Sequence, residues 1–107
     1  MNLQERIEQA WQDRSLIQQP DVQAAIRSVV EQLDKGLLRV AEPVADGWQV
    51  NEWVKKAVIM YFPIQQMETW TAGPMEYHDK INLKKDYKAL GIRVVPSAVA
   101  RYGAYLS

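Results

Sequence analysis

The chain has 107 residues, which suits a single domain, and 48% of them are hydrophobic while 24% are charged. Its 13 basic and 13 acidic residues cancel, so the charge balance favours neither a nucleic acid nor a membrane surface as partner. The absence of cysteine excludes a disulfide framework and a thiolate zinc site. The polar N-terminus and the lack of a long apolar run predict a cytoplasmic protein with no signal peptide and no spanning helix.

The first third of the chain has the periodicity of two amphipathic helices. Apolar residues three and four apart predict a helix over about residues 2–14, and residues 15–20 form a polar connection. A second helix follows, with Asp21 as a plausible N-cap and Gly36 as its C-terminal stop. Two short helices in succession favour an antiparallel helical hairpin.

After Gly36 the pattern changes to the alternation of strands. Residues 37–42 and 48–50 are strand-like, and Asp46-Gly47 between them is a turn signal. A two-stranded ribbon is expected, with Pro43 at an edge or a bulge because proline cannot donate to a ladder.

Asn51 can cap a third helix, which has a broad apolar face and ends at Pro63. Residues 64–82 predict extended segments or loops, and residues 83–90 a short helix that ends at Gly91.

The last stretch suggests a repeat. Ile92 to Val95 looks like a strand that Pro96 closes, and Val99 and Tyr105 are six residues apart among small residues. Six-residue spacing of an inward apolar residue is typical of a hexapeptide β-helix, which needs about three repeats to bury its face. We therefore expect an incomplete coil, with Val95, Val99 and Tyr105 exposed unless another molecule covers them.

Several polar and aromatic residues have a functional and a structural interpretation. His78 beside Asp79 could be a general base, but neighbours in an extended segment point to opposite faces, which favours a surface histidine. Lys55-Lys56 could bind an anion, although a solvated helix face is the stronger interpretation. Trp11 and Trp53 fall on apolar helical stripes, so core packing is favoured over a stacking platform.

Arg93 is the candidate binding residue because it lies in an otherwise apolar strand-like segment. A guanidinium held there could clamp a carboxylate through two hydrogen bonds. The alternative is an arginine on the wet face of an edge strand, and the pattern alone leaves both open. The chain carries no phosphate-binding glycine loop, no paired-histidine metal spacing and no nucleophile elbow, so no catalytic or metal residue is assigned.

Four blocks, in this order, resemble the N-terminal domain of tetrahydrodipicolinate N-succinyltransferases. They are Leu33-Asp34-Lys35-Gly36-Leu37-Leu38-Arg39-Val40-Ala41-Glu42, residues 46–58, Tyr77-His78-Asp79-Lys80-Ile81, and Gly91-Ile92-Arg93-Val94-Val95-Pro96 with residues 99–105. The resemblance covers residues 26–107 well and the first helix loosely. Pro63, His78 and Asn82 depart from the family pattern.

The resemblance implies a fold of the α+β class, mainly helical. Residues 1–90 would be a three-helix N-terminal domain with a small β-ribbon, and residues 91–107 the incomplete start of a left-handed parallel β-helix.

It also implies an activity: transfer of succinyl from succinyl-CoA to an amino group derived from tetrahydrodipicolinate, a dicarboxylate, in diaminopimelate and lysine biosynthesis. The family's enzymes are cytoplasmic homotrimers, and Arg93 matches their substrate-binding arginine. The acyl-donor groove belongs to coils beyond Ser107, so the isolated chain is expected to be inactive and to bind no cofactor. Two alternatives stay open: a non-catalytic interaction module derived from that domain, and an unrelated small α+β domain.

Overall fold

Four α-helices and two β-hairpins follow one another along the chain. A computed structural model describes all 107 residues. The α-helices are α1 (Leu3–Gln12), α2 (Pro20–Asp34), α3 (Glu52–Tyr61) and α4 (Tyr87–Leu90); the strands are β1 (Ala41–Val44), β2 (Gly47–Val50), β3 (Glu68–Ala72) and β4 (Met75–Asp79); and short 3₁₀ helices span Arg14–Gln18 and Phe62–Ile64. The prediction of three main helices with a ribbon between the second and the third is confirmed.

The helix starts differ in how they are capped. The Asn2 side chain accepts a hydrogen bond from the Glu5 amide at 2.8 Å, which satisfies one free donor at the start of α1. Asp21 does not cap α2 as expected, because the helix already begins at Pro20, whose restricted φ suits the first helical position. Asn51 occupies the N-cap position of α3, but its side chain does not cap the helix. Its side-chain amide donates to the Arg39 carbonyl at 2.8 Å.

Gly36 ends α2 as the sequence predicts. Its φ of +75° lies in the left-handed region that favours glycine. The Gly36 amide donates to the Leu33 carbonyl at 3.1 Å and the Leu37 amide to the Gln32 carbonyl at 2.8 Å. This pair of bonds is a Schellman motif, which satisfies carbonyls at the helix end.

The core lies among α1, α2 and α3. Thirteen residues are buried, and all of them are hydrophobic: Ile7, Ala10, Ile17, Val22, Ala25, Ile26, Val29, Val30, Val54, Ala57, Met60, Tyr61 and Ile81. Twelve lie before residue 62, so the three helices and the first 3₁₀ helix supply nearly the whole core.

The first hairpin presents an apolar face to solvent. β1 and β2 pair antiparallel, with Ala41 opposite Val50 and Pro43 opposite Trp48. Side chains alternate along a strand, so these four lie on one face of the ribbon. Trp48 is 68% exposed, and the two-stranded sheet leaves Pro43 on an edge strand, where proline is tolerated.

A second hairpin occupies residues 68–79, where extended segments or loops were expected. β3 and β4 pair antiparallel, and Trp70 lies opposite Tyr77 with the ring centroids 5.8 Å apart. Gly73, at a φ of +62°, and Pro74 form the two-residue connection. Gly at the first turn position suits the turns that join twisted strands.

Residues 91–107 form neither the expected strand nor a β-helix coil. The stretch from Ile92 to Val95 is irregular, because no other strand lies beside it to complete a ladder. Residues 82–84 pair instead with residues 100–102 through one isolated bridge and its flanking hydrogen bonds. Val95, Val99 and Tyr105 are 56–60% exposed, so their predicted exposure is confirmed. The expected helix over residues 83–90 is reduced to α4.

The molecule is flat, with extents of 44 × 38 × 19 Å and a radius of gyration of 15.7 Å. A compact chain of this length has a radius near roughly 13 Å. The two hairpins and the C-terminal segment (residues 82–107) therefore spread over the helical core and add little to it. None of the helices combines the length and the apolar character needed to cross a bilayer.

Candidate functional site

Arg93 lies in an exposed, irregular stretch of chain just after α4. It forms no salt bridge and no side-chain hydrogen bond, so its guanidinium is available to an external carboxylate. The strand on which both interpretations placed Arg93 does not form, and Arg93 is exposed to solvent.

Hydrogen-bonded turns flank Arg93 on both sides. The Ile92 amide donates to the Tyr87 carbonyl at 2.9 Å, and Gly91 ends α4 with a φ of +72°. On the other side, the Ala98 amide donates to the Val95 carbonyl at 2.8 Å. The arginine thus extends from a short segment with a defined path.

A partly buried ion pair joins the C-terminal segment to α2. The Lys84 ammonium lies 2.8 Å from Asp34 Oδ1 and also donates to the Asp34 carbonyl at 3.0 Å. The Gly103 amide donates to the same Oδ1 at 2.9 Å. The side chain of Lys84 is only 6% exposed. One carboxylate at the end of α2 therefore holds two segments that lie far apart in sequence.

Tyr102 packs on the core beside this ion pair. Its ring centroid lies 6.5 Å from that of Tyr61. Burial, with the nearby Glu31 carboxylate adding to it, raises the pKa of Tyr102 to about 12. Burial also raises the pKa of Tyr61, so both phenols are neutral at physiological pH and act as packing groups.

A second ion pair joins the C-terminal segment to the second hairpin. Arg101 donates to Asp79 Oδ2, and this hydrogen bond is the main cause that lowers the pKa of Asp79. Asp79 is thus engaged away from His78, whose Nδ1 lies 2.7 Å from Thr69 Oγ1 on the exposed side of the hairpin. The general-base interpretation of His78 has no carboxylate to support it, and the surface histidine is confirmed.

Three of the other sequence candidates, Lys56, Trp11 and Trp53, have structural contacts, and Lys55 has none. The Lys56 ammonium lies 2.9 Å from Glu8 Oε2 and 5.8 Å from the Trp11 ring centroid, and Lys55 is exposed. Trp11 and Trp53 are partly buried against the core, as predicted.

A cleft of about 600 Å³ lies between the end of α2, residues 82–86 and the last residues of the chain. Its lining includes Asp34, Lys84 and Tyr102 but not Arg93, so the predicted binding residue is separate from it. No group of three or more histidine, aspartate or glutamate side chains is placed to hold a metal ion. Arg93 carries an unpaired guanidinium at the surface, and no nucleophile lies beside a base near it.

Sequence reasoning missed the Asp34–Lys84 and Arg101–Asp79 pairs. Asp34 and Lys84 are 50 residues apart, and their pairing depends on where the C-terminal segment packs. The second hairpin did have a signal: Gly73-Pro74 stands between two short segments that each carry one aromatic residue.

Comparisons with known proteins agree on one family. A family model described as "Tetrahydrodipicolinate N-succinyltransferase N-terminal" matches residues 2–64. This stretch contains twelve of the thirteen buried residues, so the match covers the helical core.

Relatives named 2,3,4,5-tetrahydropyridine-2,6-dicarboxylate N-succinyltransferase are similar over nearly all of this chain. The protein from Bordetella pertussis is 41% identical over 117 aligned residues, covering 100% of this chain and 43% of the relative. The Ralstonia nicotianae protein is 44% identical, covering 97% and 42%, and the Psychrobacter cryohalolentis protein is 42% identical, covering 100% and 43%. The chain thus spans less than half of the length of these relatives, and it belongs to the family of tetrahydrodipicolinate N-succinyltransferase N-terminal domains.

Proposed function

We propose that this chain is the N-terminal part of an acyltransferase that moves succinyl from succinyl-CoA to an amino group derived from tetrahydrodipicolinate. The proposed setting is diaminopimelate and lysine biosynthesis in the cytoplasm. The matched family and the names of three relatives support the proposal. The activity is proposed for the whole enzyme, of which this chain is one portion.

The proposed reaction is a balanced acyl transfer. The acceptor nitrogen attacks the thioester carbonyl of succinyl-CoA, the new C–N bond forms, and the C–S bond breaks to release the CoA thiol. The nitrogen loses one proton, which needs an acceptor group. Such a step also needs an oriented thioester and charge stabilisation at its carbonyl. We assign neither a base nor an acyl-donor site within residues 1–107.

The role proposed for this chain is to bind the acceptor through Arg93. The single observation that carries this role is a guanidinium that is exposed, forms no ion pair, and lies between two hydrogen-bonded turns. A guanidinium fork matches the two oxygens of a carboxylate, and the acceptor is a dicarboxylate. Arg93 would position the acceptor and would take no part in proton transfer.

The remaining expectations are part of the same proposal. Residues 1–90 form the N-terminal domain, and residues 91–107 lead toward the β-helix portion of the enzyme, which assembles as a homotrimer. The exposed apolar side chains of Val95, Val99 and Tyr105 support contact with another part of the assembly. The isolated chain is expected to lack succinyl transfer.

A chimaeric enzyme tests the proposal. Residues 1–107 replace the matching N-terminal portion of the Bordetella pertussis relative, and succinyl-CoA-dependent release of thiol is measured with tetrahydrodipicolinate as acceptor. The chimaera should be active. Arg93→Ala should raise KM for the acceptor by about tenfold or more, since a charge-assisted hydrogen bond contributes about 1.5–3 kcal/mol.

Arg39→Ala is the matched control, because Arg39 is also exposed and forms no ion pair. A folded, assembled chimaera without activity would refute the enzymatic proposal and would favour a non-catalytic interaction module. An unchanged acceptor KM in Arg93→Ala would remove the role of Arg93 alone.

A further inference from the structure

A small polar cavity, open to solvent, lies between α2 and the outer ends of the second hairpin, and Arg27, Gln66 and Glu68 are exposed at it. It measures about 260 Å³, and six of its seven lining residues are polar or charged: Arg27, Gln65, Gln66, Glu68, Lys80 and Asn82. These residues come from α2, the segment before β3, the first residue of β3 and the segment after β4. Four separate pieces of the chain therefore bring hydrogen-bonding groups to one place.

Arg27 is held in a fixed orientation at this cavity. Its Nη2 donates to the Ile64 carbonyl at 3.1 Å, and its Nη1 donates to the Gln65 side-chain oxygen. The guanidinium carbon lies 5.9 Å from the Tyr61 ring centroid. These partners are all uncharged, and two contacts leave further N–H donors of the guanidinium unused. The cation is oriented and has no carboxylate in a salt bridge.

Lys80 contributes a second cation without a salt bridge. The neighbouring carboxylate, Asp79, is engaged by Arg101 and so is not available to it. The Lys80 carbonyl accepts a hydrogen bond from the Gln65 amide at 3.3 Å, which ties the end of β4 to the cavity wall. Glu68 is the one acidic residue of the lining. The cavity thus holds two cations and one anion.

We propose that this cavity binds a small zwitterionic carboxylate, such as an α-amino acid. The carboxylate pairs with Arg27 and Lys80, the ammonium pairs with Glu68, and the side-chain amides of the lining take the remaining hydrogen bonds. The volume is too small for a coenzyme. Arg93 does not line the cavity, so this site is separate from the proposed acceptor site and goes beyond the proposed function.

Three probes dissect the proposed recognition. L-Alanine carries both charges, propionate has only the carboxylate, and ethylammonium has only the cation. Each is titrated into the 107-residue chain at low ionic strength, and the side-chain amide signals of Gln65, Gln66 and Asn82 are followed by NMR. L-Alanine should give saturable shifts at these signals, propionate weaker ones, and ethylammonium none that saturate.

Variants assign the contacts. Arg27→Gln and Lys80→Gln should each weaken L-alanine binding by about tenfold or more, since each removes a charge-assisted contact. Glu68→Gln should weaken L-alanine binding but leave propionate binding unchanged. Arg39→Gln, which removes an exposed arginine outside the lining, should have no effect.

Any of three results would overturn the proposal. The first is the absence of saturable shifts with L-alanine, and the second is shifts that persist in both Arg27→Gln and Lys80→Gln. The third is equal binding of propionate and L-alanine with no effect of Glu68→Gln, which would show a simple anion site. Because the assay measures binding to this chain alone, each of these results leaves the acyltransferase proposal untouched.

Discussion

Removing the Asp34 carboxylate should uncouple the C-terminal segment from the helical core. In Asp34→Ala the Lys84 ammonium, whose side chain is 6% exposed, keeps only the carbonyl of residue 34 at 3.0 Å. The Gly103 amide loses its acceptor. Breaking a buried ion pair by deleting one partner costs roughly 3–5 kcal/mol. The Asp34 side chain is 19% exposed and the carbonyl is retained, so the expected cost is at or below the lower end, about 2–3 kcal/mol.

Urea unfolding followed by tryptophan fluorescence measures this cost. Asp34→Asn should lose about half as much, because its amide oxygen still accepts hydrogen bonds while the charge is gone. Asp21→Ala is the control: the Asp21 side chain is 59% exposed in its pair with Arg6, so its loss should cost below about 1 kcal/mol. If Asp34→Ala costs no more than Asp21→Ala, the Asp34–Lys84 pair does not anchor the segment.

Three further changes test the packing and its pH dependence. Gly36→Ala should destabilise the chain by about 1–2 kcal/mol in urea, because alanine is strained at φ +75° and its Cβ would lie 2.9 Å from the Tyr105 ring; a neutral result would contradict the backbone described at this helix end. Met60→Ala, at a fully buried position, should cost about 2–5 kcal/mol, whereas Met67→Ala, at a half-exposed one, should stay within about 0.5 kcal/mol. The raised pKa of Tyr102 gives stability that is complete below about pH 10 and lost as pH rises to about 12, because the unfolded chain releases this proton first. Tyr102→Phe should flatten that alkaline loss in unfolding free energies measured against pH, while Tyr105→Phe should leave it unchanged.

The helical part of the fold could be predicted because its signals are local. Apolar residues at helical spacing predict α1 and α2, and Gly36 marks the end of α2. The turn signal Asp46-Gly47 predicts the first ribbon. None of these signals depends on a distant partner. Asp21 shows the limit of this reasoning, since the helix starts at Pro20, two residues before the start that an Asp21 N-cap implies.

The parts that escaped prediction depend on long-range partners. A strand-like stretch such as Ile92 to Val95 forms a strand only when another strand is beside it, and none is present. Nothing in the local sequence distinguishes Asp34 from other polar residues near a helix end. Its ion pair depends on Lys84, which is 50 positions later in the chain. For Arg93, the sequence predicted the residue type suited to a carboxylate, and the structure adds that its guanidinium forms no ion pair.

The position of the core along the chain has a consequence for how the protein folds. Twelve of the thirteen buried residues lie between Ile7 and Tyr61, so almost all of the core can form without residues 62–107. We expect the three helices to collapse first, and residues 91–107 to dock later onto a surface that already exists. Such a late-docking segment opens and closes with a free energy smaller than that of global unfolding. Arg93, which lies on that segment, can therefore leave and return to its place without unfolding of the three-helix core.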